Sequence, residues 1–250
     1  MNEKAHWNRI GAGYDDEIFD VFRSDRNRVL ARYFKKHGGK KKTAVDFGCG
    51  TGTAFAYLSP AFDEVTGYDI SSELLKVAAT RPYKNIRLQQ ADLTVQTLRF
   101  EPADFLFCCN VIMLPKPEMN KAMFANVRKA LKKGGHGVLV VPSMESMMYT
   151  AWRLLDWNRR EGTLPGDVPD DDLAYFSATK REIVEGIIHI DGVPTKHYTE
   201  PELHVWLTEA GLKVLNTERV EYDWTTEFES PPKWMKDPYP WDWLVEVKGR

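Results

Sequence analysis

The sequence predicts an α/β protein built on an open, largely parallel sheet. Short apolar segments alternate with helical patterns from residue 43 to residue 141, as expected when each strand is followed by a crossover helix. Glycines cluster directly after the first apolar segment, and a Lys-Lys-Gly-Gly turn at 132–135 separates a long helix from the fifth strand. Right-handed crossovers then place the active crevice beyond the carboxyl ends of the strands.

The individual elements follow from apolar periodicity and turn signals. An amphipathic helical region covers 6–37, and the lysine- and glycine-rich stretch at 35–42 is expected to be a solvated loop. Thr199 is a plausible N-cap for the last helix, with Glu202 completing a capping box. The predicted strands cover residues 43–47, 64–68, 86–90, 103–109, 137–141, 212–222 and 241–248. The predicted helices after the first region cover residues 53–58, 72–79, 119–131 and 199–210.

Composition excludes several classes of protein. The 250 residues are 43% hydrophobic, and 34 basic residues nearly balance 36 acidic ones, so the overall basic field of a non-specific nucleic-acid binder is missing. Apolar stretches stay well short of the roughly 18 residues of a membrane helix, and the first residues do not form a signal-peptide core. We therefore expect a soluble, cytoplasmic protein.

The cysteines and histidines do not show the spacing of a metal or redox site. Three cysteines are present, and Cys108 and Cys109 are neighbours in an apolar run, where small buried side chains are expected. A Ser/His/Asp arrangement is also missing. The sequence therefore predicts a protein that needs no metal.

The most informative motif is the turn after the first strand. Gly48, Gly50 and Gly52 stand at alternate positions, where missing Cβ atoms allow positive φ and a close approach of ligand to backbone. The following helix offers free N–H groups. The spacing differs from the Gly-x-Gly-x-x-Gly of dinucleotide enzymes. Asp46, two residues before Gly48, suits a ligand with a positive amino group rather than a pyrophosphate.

With these residues, the chain from about residue 40 to 250 resembles the class I (Rossmann-like) S-adenosylmethionine (SAM)-dependent methyltransferases. Residues 67–71 match the end of the family's second strand, so the resemblance implies that Asp69 accepts hydrogen bonds from the ribose and Ile70 packs on adenine. Asp92, followed by Leu93, matches the acid that meets the adenine amino group. Residues 104–114 match the fourth strand and its turn, and 131–135 match the approach to the fifth strand.

The resemblance implies a doubly wound, seven-stranded mixed sheet with an antiparallel seventh strand, one domain over 1–250, and SAM as cofactor with S-adenosylhomocysteine as product. The expected parts are an N-terminal helical cap (1–37), a SAM-binding half (40–142), a substrate-side insertion after strand five (143–198) and a C-terminal helix with strands six and seven (199–250). The residues expected to contact the cofactor are Tyr14, Asp46, Gly48, Cys49, Gly50, Gly52, Asp69, Ile70, Asp92, Leu93 and Asn110.

The N-terminal segment offers two readings. Residues 7–15 resemble the Trp-x-x-x-Ala-x-x-Tyr-Asp style of the small-molecule branch, where the tyrosine, here Tyr14, helps to cover bound SAM. The alternative is a hydrophobic staple for the first helix.

The turn after the fourth strand narrows the substrate. Residues 110–114, Asn-Val-Ile-Met-Leu, lack the two prolines typical of adenine-N6 enzymes, and the Pro-Cys pair of cytosine-C5 enzymes is missing. The sequence thus favours the small-molecule branch and disfavours nucleic acid as partner. Alternatives are an RNA or protein methyltransferase, or a SAM-binding regulator without catalysis. The acceptor atom and the oligomeric state are left open.

Aromatic residues in the two long connections are candidates for an acceptor pocket. Strand six is parallel to strand five in this fold, so the segments leaving both strands emerge at the cofactor edge. Their rings could hold a planar or cationic acceptor, or close small satellite cores. The candidates are Trp152, Tyr175, Trp224, Trp234 and Tyr239. The catalytic group stays open among Tyr14, His189 and His197, the histidines being possible bases or structural residues.

Overall fold

The structure is a computed structural model that describes residues 7–8, 20–168, 179–190 and 192–249. Residues 1–6 and 9–19 of the predicted N-terminal cap lie outside these residues. The described chain contains nine strands. The strands are β1 (Gly39–Phe47), β2 (Phe62–Asp69), β3 (Ile86–Gln90), β4 (Ala103–Cys109), β5 (Leu131–Pro142), β6 (Ile187–Ile190), β7 (Val193–Lys196), β8 (Leu212–Glu221) and β9 (Trp241–Gly249). The helices are α1 (Val21–Ser24), α2 (Val29–His37), α3 (Phe55–Ala61), α4 (Ser72–Ala78), α5 (Pro117–Ala130), α6 (Met144–Arg160), α7 (Lys180–Val184) and α8 (Glu200–Glu209).

Seven of the described strands form one mixed sheet in the order β3-β2-β1-β4-β5-β9-β8. Strands β1 to β5 pair in parallel, and β9 pairs antiparallel with both β5 and β8. The predicted fold class is therefore confirmed, with β8 and β9 as the sixth and seventh strands of the sheet. The remaining two described strands, β6 and β7, pair as a separate antiparallel hairpin.

The first and fifth strands begin earlier than predicted. β1 begins at Gly39, which pairs with Phe62, so Lys40, Lys41 and Lys42 of the predicted solvated loop belong to the strand, whereas Lys35 and Lys36 belong to α2. β5 begins at Leu131, which pairs with Ala103 before the register shifts at Phe105. Backbone pairing with neighbouring strands extends both elements beyond their apolar segments.

Two apolar layers cover the two faces of the sheet. Leu139 and Val245 pack in the layer that contains α5 and α8. Val138 and Leu244, their neighbours along the strands, pack in the layer that contains α2 and α3. Each of these four side chains is at most 1% exposed, and burying such a side chain contributes about 1.5–3 kcal/mol. Successive strand residues point to opposite faces, which is why both layers form.

The insertion after β5 is anchored at both of its ends. Ser143 and Tyr198 form an isolated parallel bridge, and Lys196 N donates to Met113 O at 2.8 Å. The hydrogen bond from Lys196 N to Met113 O holds the β6–β7 hairpin against the turn that follows β4. The insertion therefore returns to the carboxyl edge of the sheet.

The cap of α8 differs from the predicted capping box. Thr199 Oγ1 accepts from Glu202 N at 3.4 Å, which is half of the motif. The Glu202 carboxylate lies instead 2.7 Å from Lys196 Nζ, and Glu145 Oε1 accepts from Glu200 N at 2.9 Å. The complete capping box is in α7, between Thr179 and Glu182.

Among the helices of the described residues, none combines the length and the apolar character needed to cross a lipid bilayer.

A substitution at Gly67 tests the packing at the carboxyl half of β2. A Cβ at Gly67 would lie 2.9 Å from both Cys49 Sγ and Phe55 Cζ, and Phe55 is fully buried. We expect Gly67→Ala to lower the free energy of unfolding by about 1–3 kcal/mol in urea titration. The control is Gly166→Ala, since nothing lies within 4 Å of the Cβ that it adds. Equal stability of the two variants would contradict the packing described here.

Candidate functional site

The glycine turn after β1 is tied to the end of β2. Gly48 has φ of +68° and Gly52 has φ of +82°, values that L side chains rarely adopt. A Cβ at Gly48 would lie 2.1 Å from Val111 Cγ2. Gly48 N and Cys49 N both donate to Tyr68 O, at 2.8 and 3.0 Å. Glycine is therefore required at position 48 by both conformation and space.

The Asp69 carboxylate braces this turn. Its Oδ2 accepts from Gly50 N at 2.9 Å, and its Oδ1 accepts from Ser71 N at 2.8 Å. Burial raises the pKa of the Asp69 carboxyl, and hydrogen bonds from backbone N–H groups oppose that rise. Asp69 thus joins β2, the glycine turn and the start of α4.

Asp46 presents a buried acceptor beside the turn. Its side chain is 2% exposed, and Oδ2 has no hydrogen-bond partner among the described residues. Burial, and then repulsion from Asp69, raise the pKa of the Asp46 carboxyl well above its ordinary value. A buried carboxyl oxygen without a donor is costly, so a ligand N–H or ammonium would be favoured there.

A cavity of about 220 Å³ opens at the carboxyl ends of the parallel strands. It lies where the strand order reverses between β1 and β4, the place where ligands bind in open α/β sheets. Six of the residues predicted to contact the cofactor line it. They are Gly48, Asp69, Ile70, Asp92, Leu93 and Asn110.

The other predicted cofactor residues are placed differently. Asp46, Gly50 and Gly52 belong to the end of β1 and its turn but not to the described cavity lining. Cys49 is 6% exposed and packs with Phe55 and Ala78, and it is not among the residues of the described cavity lining. Tyr14 lies outside the described residues.

Asn110 connects the cavity to β9. Its φ is 52°, and asparagine is among the residues that tolerate this left-handed conformation. Its Nδ2 donates to Asp242 Oδ2 at 3.0 Å, to which the Tyr222 hydroxyl also donates at 2.8 Å. Asn110 Oδ1 is buried without a hydrogen-bond partner among the described residues. Burial raises the pKa of the Asp242 carboxyl.

Sequence reasoning missed Asp242 and Tyr222, because neither lies in a local motif. Asn110 and Asp242 are 132 positions apart. They meet because β9 inserts beside β5, where Asp242 pairs with Pro142 at the carboxyl end. The one local signal was Asn110 itself, which directly follows β4, because asparagine tolerates the left-handed conformation of a tight turn.

Sequence reasoning also missed the apolar wall of the cavity. The β7 residues Val193, Pro194 and Thr195 line it from the insertion, and Trp7 lines it from the N-terminal segment. The rest of this wall comes from the turn after β4 and from α5. Those residues are Val111, Met113, Leu114, Pro115, Met119 and Met123. Methionines adapt to ligands of varied shape.

The described aromatic candidates for acceptor binding do not line this cavity. The topological premise is correct, since β8 runs parallel to β5, but the two connections pack their rings on one another and on arginines. Trp224 is 2% exposed, and its Nε1 donates to Lys236 O at 3.1 Å. The Tyr239 ring lies 3.7 Å from the Arg26 guanidinium. Tyr175 lies outside the described residues.

Trp152 and Trp234 surround Arg153 at a more exposed place. The Arg153 guanidinium lies 5.9 Å from the ring centroid of Trp152 and 5.1 Å from that of Trp234. The two indoles are 48% and 40% exposed. Cation–π contacts of this kind stabilise the packing of long loops.

The two histidine candidates lie on the β6–β7 hairpin or directly after it. His197 is 3% exposed, and Nδ1 lies 3.1 Å from Thr195 O. Burial lowers the pKa of the His197 imidazole to about 4, so it is neutral at pH 7. His189 Nε2 lies 3.4 Å from Glu182 Oε1. Neither histidine is part of the described cavity lining.

Comparison with known sequences finds a family match in the half that carries the glycine turn. Residues 44–135 match a family described as a methyltransferase domain. A Saccharomyces cerevisiae protein named "Probable S-adenosylmethionine-dependent methyltransferase CRG1" is 37% identical over 76 residues, which are 30% of this chain. That segment spans 22% of the length of the yeast protein.

Solved structures share the architecture over nearly the whole chain. A SAM-dependent methyltransferase from Anabaena variabilis has a TM-score of 0.64 and 15% identity, covering 100% of this chain and 96% of that one. The structure of a DhpI-SAM-HEP complex has a TM-score of 0.63 and 18% identity, covering 99% of this chain and 96% of that one. At these identities, the comparison confirms the fold.

The buried His197 imidazole predicts a pH dependence of stability. The folded pKa of His197 is about 4, below the ordinary value of 6.5. Between pH 4 and pH 6.5 the imidazole is therefore protonated in the unfolded chain but neutral in the folded protein. Stability should fall as the pH drops from 6.5 towards 4, by about 1.4 kcal/mol per pH unit from this group.

Urea titration across that pH range measures the effect. His197→Gln should flatten the slope of stability against pH by about one proton. A wild-type slope in His197→Gln would contradict the prediction.

Proposed function

We propose that this chain is a class I SAM-dependent methyltransferase that transfers the methyl group of SAM to a small-molecule acceptor and releases S-adenosylhomocysteine. Residues 44–135 match a methyltransferase domain, and the chain shares its fold with a solved SAM-dependent methyltransferase. The acceptor class is inferred from the cavity.

The residues at the carboxyl edge fit SAM. Gly48 leaves room where a Cβ would collide with Val111, so a ligand can approach the backbone closely. Asp69 keeps lone pairs for ribose hydroxyls beyond those that Gly50 and Ser71 occupy. The Asp46 acceptor suits the ammonium of the methionine part.

Ile70 and Leu93 supply an apolar slot for adenine, and Asp92 lies beside them in the cavity lining. Asp92 Oδ1 accepts from both Thr94 N and Thr94 Oγ1, at 2.9 and 2.6 Å. These bonds fix the carboxylate, leaving the second oxygen for the adenine amino group.

The main contribution of the protein to this reaction is to align the acceptor with the methyl group of SAM. When bound, SAM supplies an electrophilic methyl carbon on a sulfonium. The chain's own residues hold the acceptor in line and exclude water. Asn110 is positioned through Asp242 and keeps Oδ1 unpaired at the cavity, so it can orient an N–H or O–H of the acceptor. A general base is needed only for an acceptor that arrives protonated.

The charge of the cavity favours a small molecule. Among the described residues that line it, the charged ones are Asp69 and Asp92, and lysine and arginine are missing. RNA binding depends on cations that neutralise phosphates, so this lining suits a neutral or cationic acceptor. The methionine-containing wall adds an apolar surface. This lining is the observation that carries the proposed acceptor class.

Three candidate functions can be separated in one assay. The protein is incubated with methyl-labelled SAM and, in parallel, a metabolite extract, total RNA or a protein extract. We expect label in the small-molecule fraction. Label confined to RNA or protein would favour a macromolecular methyltransferase. SAM binding in calorimetry without transfer in any arm would favour a non-catalytic regulator.

Asp69 tests the proposed cofactor site. Asp69→Asn keeps the shape but removes the charge and replaces one acceptor oxygen with a donor. A hydrogen bond to a charged group contributes about 1.5–3 kcal/mol, so the Kd for SAM should rise about ten- to hundredfold in calorimetric titration. The matched control is Asp63→Asn, an exposed site on the same strand. If Asp69→Asn binds SAM with the Kd of the wild type, the proposed role of Asp69 in the cofactor site is wrong.

The proposed role of the apolar wall in acceptor binding is tested with the small molecule that becomes labelled in this assay. We expect Met119→Ala to lower kcat/KM for that acceptor about tenfold, through lost burial of about 1–2 kcal/mol, with the SAM Kd nearly unchanged. Trp234→Ala and Tyr239→Ala should chiefly lower the melting temperature. If these two lower kcat/KM while Met119→Ala does not, the aromatic connections hold the acceptor, as the sequence predicted.

A further inference from the structure

We propose that His37, His136 and Glu246 form a binding site for a divalent metal ion of the zinc type. The site is remote from the SAM cavity and independent of the proposed function. Among the described residues, these three are the group of His, Cys and carboxylate side chains whose ligand atoms converge.

The three ligand atoms are close enough to share one metal ion. Glu246 Oε1 lies 2.9 Å from His37 Nε2 and 3.3 Å from His136 Nδ1. All three ligand atoms lie within 4.8 Å of one another. Zinc bound to nitrogen and oxygen at about 2.0–2.2 Å in tetrahedral geometry holds its ligand atoms about 3.3 Å apart. Small side-chain adjustments would therefore complete the coordination.

Hydrogen bonding does not account for this cluster. His37 Nε2, His136 Nδ1 and Glu246 Oε1 are buried, and none has a hydrogen-bond partner of acceptable geometry among the described residues. The two imidazole nitrogens are close to the carboxylate oxygen, but their N–H directions are not aligned with it. Three buried polar atoms that have close neighbours but lack well-aligned hydrogen bonds are costly, and one cation would satisfy them all.

A basic side chain outside the cluster orients the Glu246 carboxylate. Lys36 Nζ lies 2.7 Å from Oε2 and thereby leaves Oε1 to the imidazoles. Such outer contacts orient metal ligands.

The position indicates a structural role. His37 ends α2, His136 lies on β5 and Glu246 lies on β9, so an ion would tie one helix to two strands. His136 is in register with Phe105 and, through β4, with Ala44. Ala44 precedes Gly48 by four residues, or about 13 Å along the strand. The His136 side chain is 29% exposed and offers the ion a route from solvent.

The test uses the full-length protein without a tag, stripped with a chelator and dialysed. Zn²⁺ is titrated in competition with a chromophoric chelator, and Co²⁺ is followed by its visible absorption bands. We expect one equivalent of each ion to bind, and Zn²⁺ to raise the melting temperature, because binding to the folded state stabilises it. A wild-type protein that binds neither ion stoichiometrically overturns the proposal.

His136 is the ligand to change, because it is the most exposed of the three. His136→Ala and His136→Gln should weaken Zn²⁺ binding at least tenfold and remove both the Co²⁺ bands and the Zn²⁺-dependent rise in melting temperature. Using both substitutions guards against a folding defect in one of them, judged by melting in chelator. The control His189→Ala removes another histidine close to a carboxylate and should bind as wild type does. Wild-type affinity in both His136 variants would overturn the site.

Discussion

The hydrogen bond from Gly50 N to the Asp69 carboxylate is the contact on which the candidate site most depends. It joins the end of β2 to the turn after β1, while the other carboxylate oxygen receives Ser71 N at the start of α4. The turn can adopt its shape because Gly48 and Gly52 accept positive φ. A carboxylate that braces the backbone with two N–H bonds keeps its remaining lone pairs directed and fixed. The part of the site proposed to hold the ribose is therefore preorganised before any ligand binds.

Strand β9 connects this edge to the rest of the molecule. Asp242 and Glu246 are four residues apart, so both side chains lie on the same face of the strand. Asp242 pairs with Pro142 at the carboxyl end of β5 and receives Asn110, whereas Glu246 pairs with Val138 and meets His37 and His136. A single antiparallel strand thus carries one buried acid to the proposed acceptor site and another to the proposed metal site.

Sequence reasoning succeeded where the determinants are local. The parallel order of β1 to β5, the antiparallel last strand and the glycine turn are confirmed, and Asp69, Asp92 and Asn110 line the cavity. It succeeded less at the acceptor side. The aromatic connections have the predicted topology, yet their described rings pack around Arg153 and Arg26, and the cavity wall comes from methionines and the β6–β7 hairpin. The roles of these residues in binding stay predictions.

Local sequence patterns were sufficient to predict the fold class and the proposed cofactor edge, because alternating apolar segments and glycines at alternate positions act over a few residues. Contacts between side chains that are far apart in the chain follow only from the packing of the folded protein. Asn110 meets Asp242, and His37 meets Glu246, through the insertion of β9 beside β5. The packing of α5 places Met119 at the cavity, and the packing of the connection after β8 buries Trp224. Such contacts depend on strand order and on competition among apolar surfaces for burial, and neither leaves a local pattern in the chain.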